Sequence, residues 1–262
     1  MRLGKLFLFL IVPLLACSAI CPKVNGPELA RMESSSTVSL IYPMFSNMPF
    51  CTGTFVSENG IILTANHCLE GLAERINKNF EPEENEGDAH DIISELLPKV
   101  RAKDLKIPFV MEREMTGVGQ LPAAIHYSRV MYLDHDTDLA LLAPINPDSL
   151  PTHTYGKLAD HSPAIGSTVS CVGSPHGLYG TFIQGTVSAY RDDMSAVGLD
   201  LTGPWLQASI PVYFGNSGGS LYDDDGNICG VSSFIAPVPI TAFFVSLPTI
   251  RKLLIEQEVI KR

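Results

Sequence analysis

Short apolar or alternating runs, separated by turn residues, make up most of the chain after residue 37. Asn59-Gly60 and Asp225-Gly226 each stand between two such runs and are strong hairpin signals. Many short strands joined by Gly and Pro turns predict an all-β domain, either a barrel or a sandwich. The runs are TVSLIY (37–42), FCTGTFV (50–56), GIILTA (60–65), RVMYLD (129–134), LALLAP (139–144), STVSCVG (167–173), GTFIQGTVSAY (180–190), PWLQASI (204–210), GSLYD (219–223), NICGVSSFI (227–235) and ITAFFVSL (240–247).

Helical periodicity occurs in three places. One apolar face lies within 69–76, and a second within 89–97 ends at Pro98. A C-terminal helix is expected to begin at Pro248. The stretch 70–97 holds nine Asp or Glu against two Lys or Arg, which favours a solvated surface insertion over a regulatory lid. The inward-facing residues are Leu69, Leu72, Ala73 and Ile76 in the first helix, Ala89, Ile92, Ile93, Leu96 and Leu97 in the second, and Ile250, Leu253 and Leu254 in the last.

The N-terminus reads MRLGKLFLFLIVPLLACSAIC, a positively charged start followed by a short apolar run and then small residues. This pattern predicts a signal peptide over 1–19, with an uncleaved anchor or buried helix as the alternative. Cleavage before Cys17 would leave a lipid anchor there, whereas ordinary signal peptidase could also act near Ala19. Either route predicts an extracytoplasmic protein: secreted, periplasmic or anchored to the envelope. The polar stretch 20–37 is interpreted as a tether.

Composition narrows the classes of partner. With 262 residues, 45% hydrophobic and 18% charged, the chain suits a globular core. A formal net charge of −10 argues against nucleic acid as a partner. Six cysteines are present, but no CxxC or HxxxH spacing indicates a metal site, and we expect neither metal nor cofactor. Outside the cytosol, disulfides are permitted.

Three residues carry the candidate chemistry. The first is Ser217 in GNSGGS (215–220), a nucleophile or simply a polar residue of a Gly-rich turn; the stretch alone does not decide. A serine nucleophile needs an imidazole to take its proton and an acid to orient that imidazole. His67 in TANHCL (64–69) and Asp138 in HDTDLALL (135–142) each follow or precede an apolar strand, in the order His, Asp, Ser.

These segments resemble the motifs of chymotrypsin-fold serine proteases. TANHC is similar to their TAAHC, DTDLALL to their aspartate strand, and GNSGGS to their GDSGG. Two longer segments, VGSPHGLYGTFIQGTVSAYRD and QASIPVYFGNSGGSLYDDDGNICGVSS, resemble HtrA/Deg-type proteases more closely. The resemblance spans about 38–254.

The resemblance implies an all-β fold of two six-stranded antiparallel Greek-key barrels, with the active site between them. A short C-terminal helix, a helical surface insertion at about 70–114 and a tail over 255–262 complete the expectation. We expect no PDZ domain, the peptide-binding module that usually follows in that family. His67, Asp138 and Ser217 would form the catalytic triad, and Gly215, Asn216 and Ser217 the oxyanion hole.

The resemblance also implies roles for neighbouring residues. Cys51 and Cys68 flank the histidine hairpin where many secreted relatives have a disulfide. Pairing of Cys171 with Cys229 is left open. Ser233 either supports the aspartate, as the equivalent serine often does in this clan, or is an ordinary strand hydroxyl. Asn216 replaces an aspartate that pairs with a freed N-terminus in zymogen-type relatives, so activity without propeptide cleavage is expected.

The specificity pocket is expected between 211–214 and 233–235, with no buried acid to receive a basic side chain. A small or medium apolar P1 residue is therefore predicted. An extended polypeptide substrate would add a strand along 233–235. His176 either touches substrate or is merely exposed. The substrate-binding residues on this interpretation are Pro211, Phe214, Ser233, Phe234 and Ile235.

Two other classes of function compete with a protease. One is a protease-fold binding or sensor protein whose oxyanion loop is collapsed at rest. The other is a metal hydrolase, for which His135-Asp136 alone would provide too few metal ligands. HtrA relatives commonly trimerise through an N-terminal segment, but the short lead-in gives that little support, and the oligomeric state stays open.

Overall fold

The computed structural model describes residues 26–42, 48–80, 100–111, 124–193, 203–235 and 241–261. Its strands form two closed six-stranded barrels with antiparallel pairing throughout. The two-barrel prediction is confirmed. The predicted signal peptide and the second helical patch at 89–97 lie outside the described residues.

The first barrel carries the histidine and aspartate at neighbouring strand ends. Its strands pair in the order β1-β2-β3-β6-β5-β4. Core side chains such as Phe55, Ile62 and Phe109 are fully buried inside it. The strands are β1 (Thr37–Ile41), β2 (Pro49–Phe55), β3 (Ile62–Thr64), β4 (Lys106–Met111), β5 (His126–Asp134) and β6 (Leu139–Pro144).

The second barrel carries the serine turn. Its strands pair in the order β10-β11-β12-β9-β8-β7. A cluster of buried side chains, including Trp205 and Tyr222, joins this barrel to Leu63 and Leu141 of the first. The strands are β7 (Thr168–Gly173), β8 (Thr181–Arg191), β9 (Trp205–Ser209), β10 (Ser220–Tyr222), β11 (Ile228–Ile235) and β12 (Ala242–Ser246).

Three α-helices lie in the described part of the chain: α1 (Gly26–Ser36), α2 (Asn66–Phe80) and α3 (Leu247–Glu256). Helix α2 buries the predicted apolar face against the first barrel. Helix α3 begins at the residue before Pro248 and buries Ile250, Leu253 and Leu254, as predicted. No helix in these ranges has the length and apolar character needed to cross a membrane.

Two predicted boundaries are wrong. The tether interpretation of 20–37 fails over its second half, because 26–36 is helix α1, with Leu29, Glu33 and Ser36 buried. The insertion interpretation of 70–114 also extends too far, because Lys106–Met111 is β4 and pairs with both β1 and β5. Without β4 the first barrel would not close.

Candidate active site

An open cleft between the two barrels, with a volume of about 680 Å³, brings His67, Asp138 and Ser217 together. The histidine is the second residue of α2, which closely follows β3, and the aspartate ends the turn between β5 and β6. Since β3 pairs with β6, these two strand ends are adjacent. The serine lies in the turn before β10, on the other barrel.

The imidazole of His67 is fixed by the carboxylate of Asp138. Nδ1 lies 2.8 Å from Oδ2 and 3.1 Å from Oδ1, and the backbone N–H of His67 donates to Oδ1 at 2.9 Å. A carboxylate beside Nδ1 favours the tautomer with the proton on that nitrogen. Nε2 is thereby left as the acceptor, on a ring whose side chain is 45% exposed.

Asp138 is buried, at 5% exposure, in a left-handed backbone conformation with φ 55°. Its Oδ2 also accepts a hydrogen bond from Ser233 Oγ. The backbone N–H of Asn66 donates to its carbonyl at 3.2 Å. These contacts hold an ionisable group that would be costly to bury alone. Ser233 thus has the position expected of a supporting serine.

Ser217 lies in a turn that is hydrogen-bonded to strands of both barrels. Its carbonyl accepts the N–H of Thr52, on β2, at 2.8 Å. The next residue, Gly218, has φ 82° and donates its N–H to Ser232 at 2.7 Å. A side chain at Gly218 would collide with Thr52 and Thr64. In the described chain Ser217 Oγ makes no hydrogen bond to the imidazole, although both groups face the same cleft.

The predicted oxyanion residues form a turn whose geometry requires glycine. Asn216 N–H donates to Tyr213 O at 3.0 Å, and Gly215, at the third position, has φ 103°, as a type II turn demands. Asn216 therefore does not offer its amide to a substrate. The N–H groups of Gly215 and Ser217 have no acceptor among the described residues, which leaves two donors in the cleft.

Two contacts that sequence reasoning missed hold this turn. Thr52 Oγ1 donates to Gly215 O at 2.6 Å, and His176 N–H donates to Phe214 O at 3.0 Å. Together they fix the peptide planes on both sides of Gly215. The His176 ring packs on Tyr213 with centroids 4.5 Å apart, so this histidine supports the turn. No local signal in the sequence marks either contact.

The cysteines behave differently in the two barrels. Cys51 and Cys68 form the expected disulfide, and Cys68 Sγ lies 3.7 Å from Ser217 O. Cys171 and Cys229 are both buried free thiols. Burial raises the pKa of the Cys229 thiol well above its ordinary value, so it stays protonated. Among the described residues, the group with metal-like spacing is Cys51, His67 and Cys68, whose two sulfurs are bonded to each other.

The predicted substrate-binding residues are mostly, but not all, in the cleft. Phe214, Ser233, Phe234 and Ile235 line it, and Phe214 is 68% exposed. Pro211 is exposed and does not line the described cleft; the neighbouring Val212 does. The substrate-binding role predicted for Pro211 therefore has no support from the cleft, where Val212 lies instead.

Comparisons with known proteins indicate the same class of protein, the serine proteases. The trypsin-like peptidase domain family matches residues 51–231. A probable periplasmic serine endoprotease DegP-like of Halomonas elongata is 35% identical over 39% of this chain and 20% of its own length. Its counterpart from Marinomonas is 29% identical over 70% of this chain and 29% of its own length.

A mammalian relative and a solved structure agree with these matches. The mitochondrial serine protease HTRA2 of Bos taurus is 34% identical over 44% of this chain and 25% of its length. The chain thus matches less than a third of each of these curated relatives. The crystal structure of the serine endoprotease from Yersinia pestis shares the fold, with a TM-score of 0.60 at 19% identity over 89% of this chain and 66% of that one. The resemblance to HtrA/Deg-type proteases is confirmed.

Proposed function

Because this chain belongs to the trypsin-like peptidase domain family, we propose that it is a serine endopeptidase that cleaves extended polypeptides through His67, Asp138 and Ser217. The observation that carries the proposal is the chain of hydrogen bonds from Ser233 through Asp138 to Nδ1 of His67, in the same cleft as Ser217. These hydrogen bonds support the acid-to-imidazole half of the proposed triad.

The mechanism follows from this geometry. Ser217 Oγ attacks the scissile carbonyl and forms an acyl-enzyme, while Nε2 of His67 takes the hydroxyl proton and later delivers it to the leaving amine. Asp138 stabilises the imidazolium. The two free amides, of Gly215 and Ser217, stabilise the developing oxyanion. Water then repeats the sequence to release the acyl product.

Activity without propeptide cleavage is part of the proposal. The Asn216 side chain is buried, and neither its oxygen nor its nitrogen has a hydrogen-bond partner among the described residues. A neutral amide cannot form the ion pair by which a freed N-terminus orders this loop in zymogens. Here the loop is ordered instead by Thr52 and His176.

A small or medium apolar P1 residue is proposed as the specificity. The described walls near Ser217 are Val212, Tyr213, Phe214 and the strand 232–235, and they contain no carboxylate. A buried Lys or Arg of the substrate would have no counter-charge there. A peptide library cleaved preferentially after Val, Ala, Ile or Leu would support this specificity, and a preference for Arg or Glu would contradict it.

The location proposed is extracytoplasmic, as the names of the periplasmic DegP-like relatives and the N-terminal sequence pattern suggest. Attachment to a membrane would depend on a lipid at Cys17. Unfolded or extended polypeptides are the proposed partners.

A fluorophosphonate serine probe tests the function directly. The full chain should be labelled, whereas Ser217→Ala and His67→Ala should not. Removal of such a nucleophile costs on the order of a million-fold in turnover in comparable enzymes, so residual cleavage of casein by Ser217→Ala should be undetectable. Failure of a folded wild-type chain to react would overturn the endopeptidase proposal and leave the resting binding protein in its place. Loss of activity on chelation would instead indicate metal chemistry.

A further inference from the structure

The direction of a bound polypeptide across the cleft is set by an open strand edge. Strand β11 pairs with β12 as far as Ile235, but its pairing with β10 ends at Val231. The backbone of Ser232 is still hydrogen-bonded to Gly218 and Gly219, so residues 233–235 present a free edge to the cleft, where the substrate residues before the scissile bond would pair. The residues after the scissile bond would then leave across the first barrel, past α2.

On that side we propose that Arg75 forms a subsite for a carboxylate of the substrate, two to four residues after the scissile bond. The proposal rests on the endopeptidase function above and refines its substrate class. Arg75 is the sole Lys or Arg among the described residues that line the cleft. The chain has a formal net charge of −10, so this cation in the cleft is opposite in sign to the molecule as a whole.

The Arg75 side chain is held in position by aromatic contacts. Its guanidinium carbon lies 5.0 Å from the centre of the Tyr42 ring, and Nη1 donates to Tyr42 Oη at 3.1 Å. Tyr42 in turn packs on Phe50, with centroids 4.8 Å apart. Within the described chain no carboxylate forms an ion pair with Arg75. Since a guanidinium has five N–H donors, most of them remain for a ligand.

Helical geometry gives the distance from the catalytic histidine. His67, Gly71 and Arg75 follow one another at four-residue spacing on one face of α2. At ~1.5 Å per residue Arg75 is about 12 Å along the helix from His67. An extended peptide advances ~3.3 Å per residue, so this distance corresponds to about two to four residues once side-chain reach is included. The position between them is Gly71, around which there is open space.

The acidic residues of the cleft lie elsewhere. Glu70 contacts His135 at 3.3 Å, beside the turn that carries Asp138. A substrate carboxylate at Arg75 would face the guanidinium, which can bind a carboxylate in a bidentate manner, beside the aromatic pair of Tyr42 and Phe50. Two sources supply that chemistry: an Asp or Glu side chain, or the C-terminal carboxylate of a short substrate.

Cleavage profiling of a proteome-derived peptide library, read by mass spectrometry, tests the proposal. The wild-type chain should favour Asp or Glu at the second to fourth position after the cut by about three- to fivefold over Lys, the range of a partly exposed ion pair. Peptides of one sequence, ending there as a free acid or as an amide, separate the two sources. A preference for the acid alone would identify a chain terminus as the ligand.

Variants separate this subsite from the catalytic centre. Arg75→Gln should abolish the acidic preference, and Tyr42→Phe should weaken it by removing the phenolic acceptor. Arg101→Gln, a surface arginine paired with Asp104, is the matched control. A peptidyl nitroanilide, which has no residues after the cut, should be hydrolysed equally by all of them.

The two proposals fail in different ways. An acidic preference that is absent in wild type, or unchanged in Arg75→Gln, would overturn the subsite while nitroanilide hydrolysis and probe labelling persist. Loss of both hydrolysis and labelling in the wild-type chain would overturn the endopeptidase function itself. A preference that decreases as NaCl rises from about 0.05 to 0.5 M would support the ionic origin.

Discussion

At the scale of the residue, Asp138 shows how one carboxylate can be held by more than its catalytic partner. Its oxygens receive the imidazole and backbone N–H of His67 as well as the hydroxyl of Ser233. Each donor reduces the freedom of the carboxylate to rotate away from the imidazole. The positive φ of Asp138 is maintained by the same contacts and by the backbone bond from Asn66.

Replacement of Ser233 by Ala should weaken catalysis without abolishing it. The carboxylate would lose one charge-assisted hydrogen bond but keep both contacts to His67. A loss of about 1–2 kcal/mol corresponds to a decrease of roughly 5- to 30-fold in kcat/KM. The measurement is nitroanilide hydrolysis, with Ser232→Ala as the control on the same strand. Equal effects of the two variants would show that Ser233 acts only through packing.

Gly215 is the residue at which the oxyanion turn depends most on backbone conformation. A side chain there would collide with the carbonyl of Ser174, and its φ of 103° is unfavourable for any other residue. Gly215→Ala should therefore lower kcat by about 100-fold or more, as loss of an oxyanion donor does, with little change in the circular dichroism spectrum. Unchanged kcat would mean that this amide is not an oxyanion donor.

At the scale of the element, helix α1 is attached to the second barrel through a buried carboxyl. Glu33 is 1% exposed, and Oε1 accepts a hydrogen bond from Ser170 Oγ at 2.6 Å. Oε2 has no partner among the described residues. Burial raises the pKa of Glu33 from 4.5 to about 7, opposed by the Ser170 hydrogen bond and helped by the charge of Asp223. The docked helix therefore favours the protonated acid.

Stability should accordingly decrease as the pH rises. Below pH 4.5 Glu33 is protonated in both the folded and unfolded chains, so nothing is lost. Between pH 4.5 and about 7 only the unfolded chain releases the proton, and the folded state loses on the order of 3 kcal/mol. Urea unfolding at several pH values measures this. Glu33→Gln should flatten the dependence, whereas Glu28→Gln, exposed on the same helix, should not.

The elements that the sequence could not predict share a physical cause. Strand β4 contains Pro108, which lacks an N–H and normally argues against a strand. Helix α1 buries one apolar side chain, Leu29, beside Glu33 and Ser36, so its inward face has no apolar periodicity to detect. Both elements depend on tertiary contacts, β4 on its pairing with β1 and β5 and α1 on its packing against β7.

The candidate site likewise contains residues that the sequence could predict and contacts that it could not. The triad residues stand in motifs whose spacing and strand context are local, so the sequence could identify them. The support for the oxyanion turn comes from Thr52, which is 163 residues away from Gly215 in sequence, and from the backbone of His176. The Thr52 contact arises from the packing of one barrel on the other, and the His176 contact joins two loops of the second barrel. Val212 rather than Pro211 lines the cleft, and no motif in the sequence distinguishes the two.

At the scale of the whole molecule, the second barrel supplies the nucleophile while the first holds it in place. Strand β2 contacts the serine segment at three points: Thr52 N–H to Ser217 O, Thr52 Oγ1 to Gly215 O, and Thr54 Oγ1 from Ser220 N–H at 3.3 Å. A shift of one barrel against the other would therefore change the position of the oxyanion donors relative to His67. Catalytic geometry and barrel docking are coupled through this strand.

Thr52→Val and Thr54→Val separate that coupling from simple stability. Each substitution keeps the side-chain volume but removes a buried hydroxyl, so each should lower the free energy of unfolding by about 1–3 kcal/mol. Only Thr52 contacts the carbonyl of Gly215, and its loss frees the 215–216 peptide plane, which lies between the two planes that bear the Gly215 and Ser217 amides. We expect Thr52→Val to reduce kcat about tenfold, whereas Thr54→Val should remain near wild type. Because both variants are destabilised alike, a tenfold decrease shared by the two would assign the effect to barrel docking in general, and its restriction to Thr52→Val would assign it to the oxyanion turn.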